Sequence, residues 1–326
     1  MRASKIVKEI LRPFSQFKHY LRRKSLGLSR ANYKFLRTGY LRLRYVALHE
    51  DGRIALPYLE TYLTRGCNLK CSFCSHHNPI RNGVEPKEFL LASFEEWGKR
   101  LKPEKFALLG GEPLIHPNFS ELVLAARQCF PDSVISITTN GLLLPKLSDA
   151  MLQTFSQIGR IIFLVSKHFN TPEYNEMIEN AVKRFDAADV PITIEPFYER
   201  WKTLHLQNEE GEAIPAQSPP ETAYRHCHSN LCRNIFGETL SFCSIATNTA
   251  QAYREGVLRE EWVTALSHQP MTLANTQEEI VTYLKQTVWS VCSMCPEKLE
   301  TIVPRQLSLE EVRLVREKAR FMKKAA

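Results

Sequence analysis

The chain has 326 residues, 44% hydrophobic and 24% charged, which is ample for a buried core and unlike a disordered chain. No apolar run approaches the roughly 20 residues that span a bilayer, which argues against an integral helical membrane protein. The net charge of +8 sits at one end. Residues 1–44 hold 13 Lys and Arg against Glu9 alone, and the remainder carries 30 basic and 34 acidic side chains. The basic character therefore belongs to an appendage and says little about the main body.

In that arm, Ile6, Val7, Ile10, Phe14, Phe17 and Leu21 recur at helical spacing among Lys5, Lys8, Arg12, Lys18, Arg22 and Arg23, with Pro13 as a kink. It could pack on the main body, which is favoured. It could instead lie on an anionic membrane face at about 1 kcal/mol per cation, or contact phosphates. Peripheral contact at the inner face of the membrane stays open, and no nucleic-acid partner is expected. No apolar stretch with a small-residue cleavage site opens the chain, so a cytoplasmic location is expected. Nine cysteines then read as metal ligands or reduced core residues. The stretch Tyr40–Leu56, centred on Asp51-Gly52, predicts a hairpin.

From Tyr58 the sequence alternates β-type runs with helical patterns. Strands are predicted at Tyr58–Thr64, Lys105–Leu109, Val134–Thr138, Arg160–Val165 and Pro191–Phe197, the rhythm of βα units building a parallel sheet. Ser93 with Glu96 and Asn118 with Glu121 read as capping boxes, and Thr171-Pro172 as an N-cap followed by proline. Asn140-Gly141 marks a turn. Residues 206–223 are polar and Pro-rich and read as a linker. Cysteines then dominate to Cys295, and Ser308 with Glu311 caps a basic terminal helix. The organisation is an arm and hairpin (1–57), a barrel-like region (58–205), the linker, a cysteine-rich domain (224–298) and the terminal helix (299–326).

Cys67, Cys71 and Cys74 follow the first strand in a loop compact enough to aim three sulfurs at one cubane, and thiolates are the usual ligands of iron–sulfur clusters. Three ligands leave one iron open, the mark of a reactive centre. On spacing alone, three thiolates with His76 or His77 also suit a Cys₃His zinc site. One βα unit later comes Gly110-Gly111-Glu112-Pro113, where the glycines permit close backbone approach and a carboxylate can accept from an ammonium group.

Cys-x₃-Cys-x₂-Cys with Phe73 before its last cysteine, followed by Gly-Gly-Glu-Pro, resembles the radical S-adenosylmethionine (SAM) enzymes. The resemblance runs from about Tyr58 to Cys295. It implies an α/β fold, a partial (β/α)₆ TIM-like barrel, with a small cysteine-rich C-terminal domain. It implies a [4Fe-4S] cluster on Cys67, Cys71 and Cys74 that chelates SAM and cleaves it to a 5′-deoxyadenosyl radical. An external one-electron donor such as flavodoxin or ferredoxin is implied too. Gly110, Gly111, Glu112 and Pro113 would receive the SAM amino group. Phe73, Thr139, Asn140, Ser166 and Lys167 match family residues near SAM by position, with Glu195 equally a site acid or a structural group.

Cys227, Cys232, Cys243, Cys292 and Cys295 form a second field around a predicted hairpin and a CxxC knuckle. A zinc ribbon has similar spacing. The layout also resembles the twitch or truncated SPASM extension, which implies a second, auxiliary [4Fe-4S] cluster on Cys227, Cys243, Cys292 and Cys295, with Cys232 able to replace Cys227. Three functions follow: hydrogen abstraction from a small molecule such as a sugar or glycan precursor (oxidation, dehydration or epimerisation), ribosomal-peptide maturation, or a zinc-bound nucleic-acid adaptor. The first is favoured, because the 57 residues before the barrel are few for a peptide-recognition domain.

Overall fold

The computed structural model describes residues 46–208, 213–227, 229–298 and 301–314. The basic arm and most of the terminal helix lie outside them. Strands β1 (Ala47–Leu48) and β2 (Ile54–Leu56) form the predicted hairpin, with Gly52 at φ +80°, where a side chain would be strained.

Then β3 (Leu59–Tyr62) opens the main sheet. It is followed by α1 (Lys87–Gly98), β4 (Leu101–Pro103), β5 (Lys105–Leu109), α2 (Phe119–Cys129), β6 (Val134–Thr139), α3 (Asp149–Ile158), β7 (Ile161–Val165), α4 (Pro172–Ala187) and β8 (Ile192–Ile194). All five predicted strands are present, and β3, β5, β6, β7 and β8 pair parallel in that order. Phe94 and Trp97 of α1, Phe130 after α2, Phe155 of α3 and Phe185 of α4 pack in one core with Phe106 of β5 and Phe163 of β7, all fully buried. Their rings meet edge-on or tilted, as Phe94–Phe106 at 5.4 Å and Phe163–Phe185 at 4.9 Å. This aromatic seam holds the strand ends, and hence the loops after them, in fixed register.

The cysteine-rich region is continuous with that sheet. After β9 (Trp201–Lys202), a small hairpin, β10 (Leu206–Gln207) and β11 (Ala213–Ile214), occupies what was expected to be plain linker. Helix α5 (Pro220–His226) leads to the hairpin of β12 (Arg233–Phe236) and β13 (Thr239–Ser241), then α6 (Ser244–Arg254), β14 (Met271–Thr272), α7 (Gln277–Lys285) and β15 (Thr301–Ile302). Strand β12 pairs parallel with β3, so the eight-stranded order is β14-β13-β12-β3-β5-β6-β7-β8. Six strands run parallel, and the sixth joins beside the first rather than the fifth. Thr61 Oγ1 donates to the Ile235 carbonyl across that join at 2.9 Å.

Local predictions fare unevenly. Thr171 caps α4 by accepting from Tyr174 N, and Ser308 and Glu311 exchange backbone hydrogen bonds as a capping box does. Asn118 heads α2 without a side-chain bond to its backbone. Ser93 is not a cap: α1 starts six residues earlier, after Pro86. The Ser93 hydroxyl lies buried and donates, with Trp97 Nε1, to the Gly237 carbonyl at 3.0 Å.

Candidate active site

The loops after β3 and β5 are laced together by backbone. Gly111 N donates to Thr64 O at 3.0 Å and Glu112 N to Gly66 O at 3.1 Å. A Cβ on Gly110 would collide with the Thr64 side chain, and one on Gly111 with the Gly66 carbonyl and Asn78, so both positions need glycine for the loops to approach. Within the cysteine loop, Phe73 and His77 adopt left-handed φ of 57° and 55°. These turns bring Cys67, Cys71 and Cys74 to one cavity of about 230 Å³, together with Phe73, Gly110, Gly111, Thr139, Asn140 and Ser166.

Burial pushes the Cys67 thiol up to about 11 and Cys71 to about 12, and raises Cys74 likewise. A metal centre there must displace protons, so loading it is favoured by rising pH. Among the described residues no three His, Cys, Asp or Glu side chains close around a single-ion point. The thiols instead line the wall of a cavity, and a three-thiolate donor set with an adjoining glycine cradle fits a cluster carrying one open iron.

Three of the expected cofactor contacts do not line this cavity: Glu112, Pro113 and Lys167. The Glu112 carboxylate, expected to accept from a ligand, is fully buried and already occupied. It accepts from Leu114 N at 3.1 Å, Thr139 Oγ1 at 2.7 Å and Asn140 N at 2.8 Å. Its work is to staple the β5 loop to the β6 loop, which leaves the Asn140 amide free to reach Asn68 Oδ1 at 2.8 Å and Cys67 Sγ at 3.7 Å. Lys167 turns away and donates to Asn170 Oδ1. It lines a neighbouring cleft of about 250 Å³ with Ser166, His168, Glu195, Pro196, Tyr198 and Trp201. Ser166, His168 and Trp201 wall both cavities.

Sequence reasoning missed His168, Trp201 and Gln306. His168 Nδ1 lies 3.6 Å from Cys71 Sγ, its ring against Trp201 at 4.7 Å, and burial lowers it to about 4. Its place two residues after Ser166, at a parallel-strand end, was the available signal.

The second field forms its own cavity of about 30 Å³, walled by Cys227, Cys243, Cys292 and Cys295 with Tyr224, Phe242 and Met294. Cys232 is not in that wall. Burial and the neighbouring Glu60 carboxylate hold its thiol well above the usual range. Cys243 is the N-cap of α6, where the Ile245 and Ala246 N–H groups face its sulfur, though burial still raises it to about 12.

Residues 61–195 match the family model for the radical SAM superfamily. A GTP 3′,8-cyclase from Aquifex aeolicus (strain VF5) is 31% identical over 129 residues, 38% of this chain and 39% of that protein. Molybdenum cofactor biosynthesis protein 1 of Bos taurus is 35% identical over 108 residues, 30% of this chain and 17% of that protein. The chain thus spans less than two fifths of these relatives. Among solved structures, SuiB of Streptococcus suis bound to S-adenosylmethionine is 18% identical, covering 64% of this chain and 48% of that one, with a TM-score of 0.37. BtrN in complex with AdoMet and 2-DOIA is 14% identical, covering 77% and 98%, with a TM-score of 0.42. Residues 61–195 are thus similar to the radical SAM superfamily, and Cys67, Cys71, Cys74 and the Gly110–Pro113 turn all lie inside that match.

Proposed function

We infer that this enzyme abstracts hydrogen from a small polar molecule, such as a sugar or glycan precursor, held in the cleft of Lys167, Glu195, Tyr198 and Trp201. The observation that carries the reading is continuity: Ser166, His168 and Trp201 wall both that cleft and the three-cysteine cavity. A ligand in one therefore abuts a ligand in the other. When bound, the cluster and SAM supply a 5′-deoxyadenosyl radical after one electron arrives from an external donor.

The chain's own residues bind and orient. Cys67, Cys71 and Cys74 would hold the cluster, and Gly110 and Gly111 offer backbone without side-chain obstruction. Glu195 accepts from Ser166 Oγ at 3.4 Å and keeps further acceptor capacity for hydroxyl groups, while Lys167 supplies a cation. The exposed Tyr198 ring and the Trp201 ring give apolar faces for a ring-shaped substrate. The cyclase relatives share a stretch about the size of the radical SAM domain, so what they support is the radical-generating step, not GTP as substrate.

Cys227, Cys243, Cys292 and Cys295 would hold the auxiliary cluster, since four thiols in one apolar cavity satisfy a closed cubane. Anaerobic incubation with SAM, a reductant and deuterated candidate sugars tests the reading: deuterium should appear in 5′-deoxyadenosine. Transfer only from deuterated peptides would overturn the substrate class.

A further inference from the structure

The segment after the last cysteine pair returns to the three-cysteine loop. Strand β15 pairs antiparallel with β9 through Thr301↔Lys202 and Ile302↔Trp201, beside the cavity wall. The following residues then lie antiparallel along the loop itself. Ser72 N donates to Arg305 O and Leu307 N to Lys70 O, both at 2.8 Å. Gln306 sits between them, bridged to Cys71. Its Oε1 accepts from Lys70 N at 2.6 Å, and its Nε2 stands 3.2 Å from Cys71 Sγ. The orientation of this amide is forced: a backbone N–H only donates, so the oxygen must face Lys70 and the NH₂ must face the sulfur.

We propose that Gln306 is a positioning residue that sets the reduction potential of the Cys67/Cys71/Cys74 cluster through an N–H···S hydrogen bond to Cys71. The inference rests on the iron–sulfur reading above. A donor aimed at a ligand sulfur withdraws electron density and favours the added negative charge of the reduced state, which raises the potential. No bond forms or breaks; the cluster accepts one electron from the external donor. The backbone bonds on either side belong to Arg305 and Leu307, so the strap stays in place when the Gln306 side chain is changed. The cluster's electronics thus depend on a residue 235 positions downstream of its ligand.

The test is an EPR-monitored redox titration of the reconstituted full chain, with iron and sulfide quantified. Gln306→Ala removes both side-chain bonds. Gln306→Glu keeps the acceptor for Lys70 N–H, removes the donor to sulfur and adds a negative charge beside it, so its potential should fall further than that of the uncharged Ala variant. Both should keep wild-type iron while the reduced-to-oxidised ratio at fixed potential falls at least about threefold, or about 28 mV at 59 mV per decade. Unchanged potentials at full iron would overturn the proposal. Loss of iron in both variants would also overturn it, making Gln306 a brace and nothing more. If only the Ala variant loses iron, an uncharged Gln306→Met variant, which fills the same space without a donor, decides. Absence of any cluster signal in the wild type would instead sink the iron–sulfur reading on which this rests.

Discussion

A carboxylate sealed from solvent requires donors, and Glu112 has three of them within 3.1 Å. Burial raises its pKa, and those donors hold it down in turn. Glu112→Gln places an NH₂ group against at least one of these donors, and the expected loss is about 1–3 kcal/mol. Thermal unfolding should show the loss, and calorimetric titration should show weaker SAM binding although this side chain lines no cavity. The cysteines separate on the same scale. Cys227→Ala should release the auxiliary iron, whereas Cys232→Ala should retain it, because only Cys227 faces the four-thiol cavity; equal loss in both variants would contradict this. The convergence of Cys67, Cys71 and Cys74 and the glycine pair on one cavity was legible because rare residue types at fixed short spacing carry their own signal. The role of Glu112 was not, since its partners Thr139 and Asn140 lie on another strand's loop. Gln306 left no trace at all: its meaning is wholly a long-range contact.

Among the elements, α6 stands out as a rod between the two cysteine fields. It begins at Cys243, and its middle and end grip the segment after Cys74. Thr249 Oγ1 meets His77 Nε2 at 3.2 Å, while Arg81, nearly fully buried, bonds Asn248, Gln251 and Glu255. Glu255→Ala leaves the Arg81 charge with neutral partners only, and should cost about 1–3 kcal/mol in denaturant titration. A pH dependence belongs here too. His205 is packed on Trp262 and His268 on Phe242, and burial lowers each from 6.5 to about 4. Between those values the unfolded chain binds protons that the folded chain refuses. Stability should therefore be full above about pH 6.5 and fall toward pH 4, by a few kcal/mol in total. A melting temperature flat across that window would refute the assignment. Elements with strong period or caps were readable, as β7 and Thr171 show. The Ser93 reading failed because Ser-x-x-Glu occurs inside helices as well as before them, and Pro86 was the better start signal.

At the scale of the molecule, the cysteine-rich region is less separate than its composition suggests. It contributes a parallel strand to the main sheet and returns a strap over the first cysteine loop. The two cysteine fields nonetheless occupy distinct cavities. Cys71→Ala should abolish SAM cleavage and lower iron per chain by about half; loss of all iron would mean that the fields assemble as one unit. The alternating βα rhythm made the five central strands legible from sequence. The placement of β12 was not, because nothing in Arg233–Phe236 distinguishes an edge beside β3 from one beside β8.

That placement has a consequence for the newborn chain. Thr61 and its partner Ile235 are 174 residues apart, so at ribosomal speeds of about 5–20 residues per second β3 waits roughly 9 to 35 s for its neighbour. Throughout that interval one flank of β3 is an open row of backbone donors and acceptors, with the reactive thiols only a few residues beyond it. Synthesis thus sets an order: the nascent enzyme is most exposed to mispairing and to premature thiol oxidation before its last third emerges.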